Sequence, residues 1–533
     1  MATTQTQAIS VPYSANAFSP ESNASPTPLP GILLDSFQDD QVPVMPQTSA
    51  KTSRLQNAIL VVLMSGITFT GSLINGLVTV GLPAITADLK IPPSLAFWPA
   101  SVSSLATAST LLLAGSVADV LGPRRVDLVG SFASGALMIA AGASRQGSEL
   151  IALRALQGVG LSLHLASSVS IITKALPQGR GRNLAFSCLG LSQPLGLSVG
   201  LVLGGVFVDT IGWRAGWYLS GGLTLLLASI AIWALPRSND LRSMKNIWHD
   251  MKIKVDWVGA MLASAFMTLL CYLLAILSAD VTRIKEPLSI AFLCLSVVAL
   301  MTFIYWMHIQ VKANRPALIP NSLWRNTTFS GVCMTIALSN AVINSMELFC
   351  SLFFQDIQLL PALQASIRIL PSTTVGIIMN FTVGLFVHKV PVVWIVMSTS
   401  ILCAGASLLM AVIQPSWPYW GNAFVAQLLM PLSCDALFTV GLIIISDVFP
   451  DDTQALAGAV FNTAAQFGGA LGLAILQVIS TTVTEKQTGM EMISALMEGY
   501  RASFWTMFAF MILCAAIGTL GLKNTGKIGL KKD

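Results

Sequence analysis

Beyond about residue 56 the chain reads as one apolar stretch broken at short intervals by polar turns. Fourteen apolar segments stand out, at 57–82, 95–118, 126–144, 149–173, 183–207, 213–235, 256–278, 288–308, 328–354, 362–387, 391–413, 419–445, 455–482 and 501–521. Each reaches the roughly 18 residues that a helix needs to cross the hydrocarbon core of a bilayer. Strands do not need that length, and a lipid-facing span must satisfy its own backbone hydrogen bonds, so the segments read as helices. The connections are short except 236–255 and 309–327. The pattern predicts an all-α polytopic membrane protein.

Composition agrees. Of 533 residues, 54% are hydrophobic and only 10% charged, with a mean hydropathy of +0.73. Soluble domains carry roughly a quarter charged residues, so the composition argues against a soluble enzyme of any fold. Residues 1–56 differ from the rest: they are rich in Ser, Thr and Pro, and hold Glu21, Asp35, Asp39 and Asp40 before the first basic residue, Lys51. They read as a disordered, acidic cytoplasmic tail. No basic stretch leads into an apolar core, so a signal peptide is not expected. Residues 522–533 form a second, basic tail.

The formal net charge is +5. Placing the N-terminus inside puts 20 of the 29 Lys and Arg residues in cytoplasmic segments and 7 outside, with Arg154 and Arg368 at or within helices. This bias predicts that both termini are cytoplasmic, and it accounts for the basic balance without nucleic acid. The eight cysteines all lie in apolar runs and no two are spaced as CxxC, while the four histidines are scattered. Neither a disulfide framework, a metal site nor a cofactor is expected.

Several positions carry candidate chemistry. Gly115, Asp119, Gly122, Arg124 and Arg125 join the second and third segments, where an aspartate at a helix end beside two arginines can make a switchable ion pair or simply a solvated turn. In the fourth segment Arg154, Gln157, Leu161, His164 and Ser168 recur at helical spacing and form one stripe. An arginine inside a span is costly and marks a cavity-facing group, unless it snorkels to the interface; His164 reads as a satisfied packing residue. Gly196, Gly200, Gly204 and Gly205 let another helix approach closely. Asn462 and Gln466, one turn apart, either line a cavity or bond a neighbouring helix. Glu347 shares a face with Asn340 and Asn344, and Asp435 shares one with Gln427, Pro431 and Thr439. A carboxyl group within a span is a candidate proton carrier or a structural hydrogen-bond partner. The first segment offers Ser65, Thr68, Ser72, Asn75 and Thr79 on one face. Asp209 reads as an interfacial charge.

Five stretches resemble motifs of the major facilitator superfamily. Gly115-x3-Asp119-x2-Gly122-x-Arg124-Arg125 is similar to its loop signature, whose aspartate and arginines latch the two halves. Arg154-x2-Gln157-Gly158-x-Gly160 is similar to its fourth-helix segment, whose arginine is implicated in proton coupling. Gly196-x3-Gly200-x3-Gly204-Gly205 resembles the antiporter motif, with Leu201 where that motif has proline. The first segment resembles that of the fourteen-helix drug:proton antiporter branch, with Ile74 where that branch has aspartate, as does Gly458–Gly472 in the thirteenth segment. The run from Asn75 through Trp98 to Arg214 looks most like fungal aminotriazole-resistance proteins, which often serve toxin or secondary-metabolite export.

The resemblance implies a major facilitator fold: a six-helix bundle at 57–236, cytoplasmic loops and two inserted helices within 237–327, and a second six-helix bundle at 328–521. It implies a secondary active transporter, not an enzyme. Efflux of a small amphipathic molecule (a toxin, drug or secondary metabolite) would be driven by protons through alternating access, with a monomer in the cell membrane. Polar stripes on the first, fourth, ninth and twelfth segments would line the site, through Asn75, Arg154, Gln157, Asn344, Glu347, Asp435, Asn462 and Gln466. The 24 Phe and 12 Trp suit an amphipathic or aromatic substrate. The alternatives are uptake, or vacuolar transport, of a nutrient or metal chelate. A membrane enzyme would need clustered His and Asp or a nucleophile with its base, whereas HxxxD does not occur and the histidines are dispersed, and a receptor would carry a sizeable soluble sensing domain.

Overall fold

The computed structural model describes residues 54–92, 95–176, 180–236, 244–279, 281–449, 451–487, 489–523 and 525–526. Of the expected tails, residues 1–53 and most of 522–533 lie outside the described residues. The α-helices are α1 (Arg54–Asp88), α2 (Trp98–Leu121), α3 (Pro123–Gly142), α4 (Gly147–Ala175), α5 (Arg180–Thr210), α6 (Arg214–Ala234), α7 (Met244–Lys254), α8 (Trp257–Ala279), α9 (Pro287–Lys312), α10 (Thr327–Leu352), α11 (Ala362–Phe386), α12 (Val392–Ala411), α13 (Ala423–Leu429), α14 (Leu432–Val448), α15 (Asp451–Lys486) and α16 (Met492–Leu522). Fourteen spans among them are long and apolar enough to cross a membrane, with α13 and α14 counting as one and α7 as none.

Local chemistry sets several helix ends. Proline opens α3 and α9, where its missing N–H costs nothing and its fixed φ suits a first turn. Gly122 reverses the chain between α2 and α3 with φ +90°, a conformation other residues rarely adopt. The Asn326 side chain caps α10 by accepting from the Phe329 N–H at 3.1 Å.

Two features depart from the expected pattern. The linker 236–255 contains the short helix α7. The segment expected as a single helix at 419–445 breaks between α13 and α14 at Met430 and Pro431. A proline cannot donate within the helix, and its ring crowds the preceding turn. The break places Asp435 in the first turn of α14.

The helices pack into two bundles. In the first, α1 lies against α5 and α6, α3 against α4 and α6, and α2 against α4. In the second, α10 lies against α14, α15 and α16, α12 against α16, and α11 against α14. The bundles meet along α5–α11 and α2–α15. The inserted helix α8 lies on the second seam and touches both α2 and α15, with α9 packed on α8. Only 17% of the α9 span is buried, against 72% for the α10 span, so α9 presents most of its surface to lipid. Asp256 fastens this pair at its base. Its carboxylate accepts from the Trp306 indole at 3.0 Å, from the Gly259 N–H at 2.9 Å and from the Leu318 N–H at 3.2 Å.

Contacts between the bundles gather at one end. The Asp209 carboxylate, at the end of α5, accepts from the Ala362 and Leu363 N–H groups at 3.3 and 2.9 Å and so caps α11. Gln355 donates to the Val80 carbonyl at 3.0 Å, and the Phe97 and Phe349 rings stack with centroids 5.8 Å apart. Asp209 is therefore not merely an interfacial charge but a cap from one bundle on the other.

Candidate functional site: a polar cavity between the bundles

Beyond those contacts a cavity opens between the bundles, with about 190 Å³ of room for the centres of water-sized molecules. That is space for many waters, since one needs roughly 10–15 Å³ on this measure. Helices α1, α2, α4 and α5 form one wall, and α10, α11, α14 and α15 the other. The wall is rich in Ser, Thr, Asn and Gln. Among the described residues it carries two carboxyl groups, Glu347 and Asp435, and no Lys, Arg or His.

The structure brings most of the expected site together. Asn75, Asn344, Glu347, Asp435, Asn462 and Gln466 all line this cavity. The Asn462 amide also donates to the Gly458 carbonyl of its own helix at 3.0 Å. Arg154 and Gln157 do not reach the lining: both are buried behind it. The Arg154 guanidinium donates to the Pro99 carbonyl at 3.1 Å, to Gln157 Oε1 at 3.0 Å and to Asn75 Oδ1 at 3.1 Å. It also sits over the Trp217 ring, 5.5 Å from the centroid. Arg154 thus touches the site only through Asn75, and it does not snorkel. The polar members of the fourth-helix stripe turn inward. Leu161 and Leu165 of α4 face the cavity, while His164 and Ser168 are buried within the first bundle.

Two partners of Asp435 escaped the sequence analysis. Asn380 of α11 donates to Asp435 Oδ1 at 2.9 Å and accepts from the Thr439 hydroxyl at 3.1 Å. Gly376, one turn away, leaves room for the other carboxylate oxygen, since a β-carbon there would collide with Oδ2. A signal was available: an asparagine inside an apolar span, four residues from a glycine. The aromatic expectation also shifts, because Phe438 is the sole aromatic residue among the described lining.

The glycines of α5 divide between two neighbours. A methyl group at Gly196 or Gly200 would meet the backbone of Phe69 or Leu73 on α1, and Gly204 sits against Leu77. Gly205 faces Leu363 and Ser366 of α11, across the seam between the bundles. In the α2–α3 loop, Arg124 donates to the Ile232 carbonyl of α6 at 2.5 Å, within its own bundle. Asp119 and Arg125 are both exposed, and a β-carbon at Gly115 would stand in open space. Among the described residues no ion pair joins Asp119 to either arginine.

All eight cysteines are free. No group of three or more His, Cys, Asp or Glu among the described residues is placed to hold a metal ion.

A family model described as Major Facilitator Superfamily matches residues 64–426 and 372–529. The chain belongs to that superfamily. Its members are transporters rather than enzymes, and the fourteen spans make this one a multi-pass membrane protein. Among curated proteins it is similar to MFS-type transporter 1 of Pyricularia oryzae, 37% identical over 99% of this chain and 92% of the relative. It is 24% identical to the low affinity ammonium transporter of Saccharomyces cerevisiae, over 76% of this chain and 77% of that one. It is 27% identical to the cephamycin export protein CmcT of Amycolatopsis lactamdurans, over 83% and 88%. Among solved structures, a bacterial homologue of the human lysosomal transporter Spinster superposes with a TM-score of 0.60 at 14% identity, covering 89% of this chain and 98% of that one. The helices and the cavity between two bundles are thus those of a secondary transporter that binds a small molecule.

Proposed function

We propose that this transporter exports a small amphipathic molecule, neutral or cationic, across the cell membrane in exchange for protons. The observation that carries the reading is the placement of Glu347 and Asp435 on one inter-bundle cavity whose described lining holds no basic side chain. An anionic carboxylate there attracts a cation or accepts hydrogen bonds from a polar substrate; a protonated one does neither as well. Proton and substrate therefore compete for the same groups, and competition within an alternating-access cycle yields exchange.

The cycle follows from that competition. On the side facing low pH, protons load the carboxyl groups and expel the substrate. On the other side the protons leave, and the ionised pair accepts the next substrate molecule. Asn380 holds Asp435 towards the cavity in both protonation states, since its amide still has a carboxyl oxygen to bond. The loop-charge bias assigns the closed end, with Asp209 on α11, to the outer face and both termini to the cytoplasm. In that assignment the described conformation presents its cavity inward. Export as the direction rests on the likeness to relatives such as the cephamycin export protein; the likeness to an ammonium transporter is what import would lean on.

The test compares cells and medium of the native organism by untargeted mass spectrometry, with the gene, without it, and with Asp435→Asn restored. Export predicts a compound that moves from medium to cells on deletion. Asn at 435 keeps the bond to Asn380, so the variant reaches the membrane but does not restore export. A compound that accumulates in the medium on deletion overturns the direction, and full restoration by Asp435→Asn removes that residue from the mechanism.

A further inference from the structure

Behind the cavity wall, in the first bundle, lies a buried pair of titratable groups that the exchange described above does not use. Helices α3 and α4 approach closely through glycine: a β-carbon at Gly130 would stand 2.6 Å from Leu163 Cβ and 2.7 Å from the Gly160 carbonyl. That approach seats Asp127 Oδ1 against His164 Nδ1 at 2.8 Å, with both side chains fully buried. On the far side of the ring, His164 Nε2 lies 3.1 Å from the Thr68 hydroxyl oxygen of α1. The Thr68 hydroxyl donates to the Met64 carbonyl at 3.0 Å. Thr68 itself forms part of the cavity wall. The second Asp127 oxygen, Oδ2, is buried with no hydrogen-bond partner.

We propose that Asp127 and His164 form a second proton-binding site, filled and emptied from the cavity through the Thr68 hydroxyl. Proton counting supports it. Thr68 has one hydroxyl hydrogen; while it is donated to Met64, Nε2 can bond Thr68 only as the donor. The contact at Nδ1 needs a proton between nitrogen and carboxylate. With both in place, the pair is an imidazolium on a carboxylate and carries no net charge. If the Nε2 proton leaves, the Thr68 hydroxyl turns from Met64 to donate to Nε2. The Met64 carbonyl keeps its helical hydrogen bond, and Nδ1–H still donates to Asp127. Both states are hydrogen-bonded at the same heavy-atom positions, and they differ by one proton delivered to or taken from cavity water. The deprotonated pair carries one negative charge inside the bundle.

The charged groups on the surrounding elements leave the pair to itself. Arg124 and Arg125 precede Asp127 on α3 by three and two residues, with Arg124 bonded to Ile232. Arg154, on α4, is held by Pro99, Gln157 and Asn75. Asp119 ends α2, Lys174 lies in the last turn of α4, Arg182 opens α5 with its guanidinium over Phe186, and Arg214 opens α6 at the opposite end, paired with Asp88. Between Leu55 and Ala87, α1 has no titratable side chain. Among the described residues, none of these groups bonds to Asp127 or His164.

The site's use in transport rests on the exchange reading, whereas proton binding stands on the geometry alone. The test therefore reads the ring directly. Full-length protein carrying His249→Gln, His308→Gln and His388→Gln keeps His164 as its single histidine. It is labelled with ¹⁵N-histidine, placed in liposomes and titrated by solid-state NMR from about pH 5 to about pH 9. Expected is one step in which Nε2 loses its proton while Nδ1 keeps its own. Asp127→Asn moves that step down by more than one pH unit, and Thr68→Val, which leaves the pair intact, slows exchange of the Nε2 proton at least tenfold. A ring with no step in this range is a purely structural pair and overturns the site, as does a step that Asp127→Asn leaves in place. Unchanged exchange in Thr68→Val overturns the route. A normal step in a protein that moves no compound along a pH gradient refutes the exchange reading and leaves this site standing.

Discussion

Arg154 and Gln157 make a sharp energetic prediction. The Arg154 guanidinium is fully buried, and its three acceptors are all neutral: the Pro99 carbonyl, Gln157 Oε1 and Asn75 Oδ1. A hydrogen bond to a charged group contributes about 1.5–3 kcal/mol, so the three together stabilise by about 5–9 kcal/mol. Taking the cation out of water costs several kcal/mol after relaxation. The two sums nearly cancel, so Arg154→Met, similar in length and apolar, changes unfolding stability by no more than about 3 kcal/mol. Gln157→Leu alone leaves the cation short of one acceptor. It also removes the buried Gln157 Nε2, which has no partner, and so recovers part of the cost. In the double variant neither loss applies to the other residue, so the cycle closes with a favourable Arg154–Gln157 coupling of about 1.5–3 kcal/mol. Reversible unfolding of the four proteins in mixed micelles measures it, and transport by each is measured in parallel. Expected are near-native stability and lost transport in both Arg154→Met and the double variant. Additivity to within about 0.5 kcal/mol would falsify the hydrogen-bond account. A loss of more than about 5 kcal/mol in Arg154→Met would show that the arginine is held chiefly for stability.

Three further substitutions test other parts of the structure. Gly222 of α6 has open space where a β-carbon would stand, so Gly222→Ala should stabilise by about 0.4–1 kcal/mol by restricting the unfolded chain. Gly196→Ala should instead cost about 1–3 kcal/mol, because its methyl group falls on the Phe69 carbonyl. Equal effects in an unfolding assay would refute the assigned α1–α5 packing. Asp209→Asn removes the charge from a cap that crosses between bundles, weakening two charge-assisted bonds and one charge–dipole contact. A cost of about 1–2 kcal/mol shifts the balance between closed and open ends roughly 5- to 30-fold. Spin-label distances between the ends of α5 and α11 should lengthen accordingly, and an unchanged distribution would show that this cap does not hold that end closed.

The sequence by itself determined the membrane spans and the class of molecule. A bilayer offers no partners for backbone groups, so runs such as 57–82 and 288–308 had no choice but to be helices. The polar face of α1, at Thr68, Ser72 and Asn75, was legible because helical spacing puts those residues together, and all three reach the cavity. Only the tertiary structure decided what each face looks at. In a soluble protein an apolar stripe points to the core, but here lipid and protein interior are equally apolar, so the pattern carries no inward direction. That is why the polar stripe of α4 was expected on the cavity, and why it instead turns into its own bundle, with Arg154 on Asn75 and His164 on Asp127. Nothing local marks Asp127, at the edge of the segment 126–144, as a buried partner; the close approach of α3 and α4 makes it half of a buried pair. Asp435 was visible as a charge in a span, whereas its holder Asn380 lies 55 residues away, a separation that no local periodicity spans.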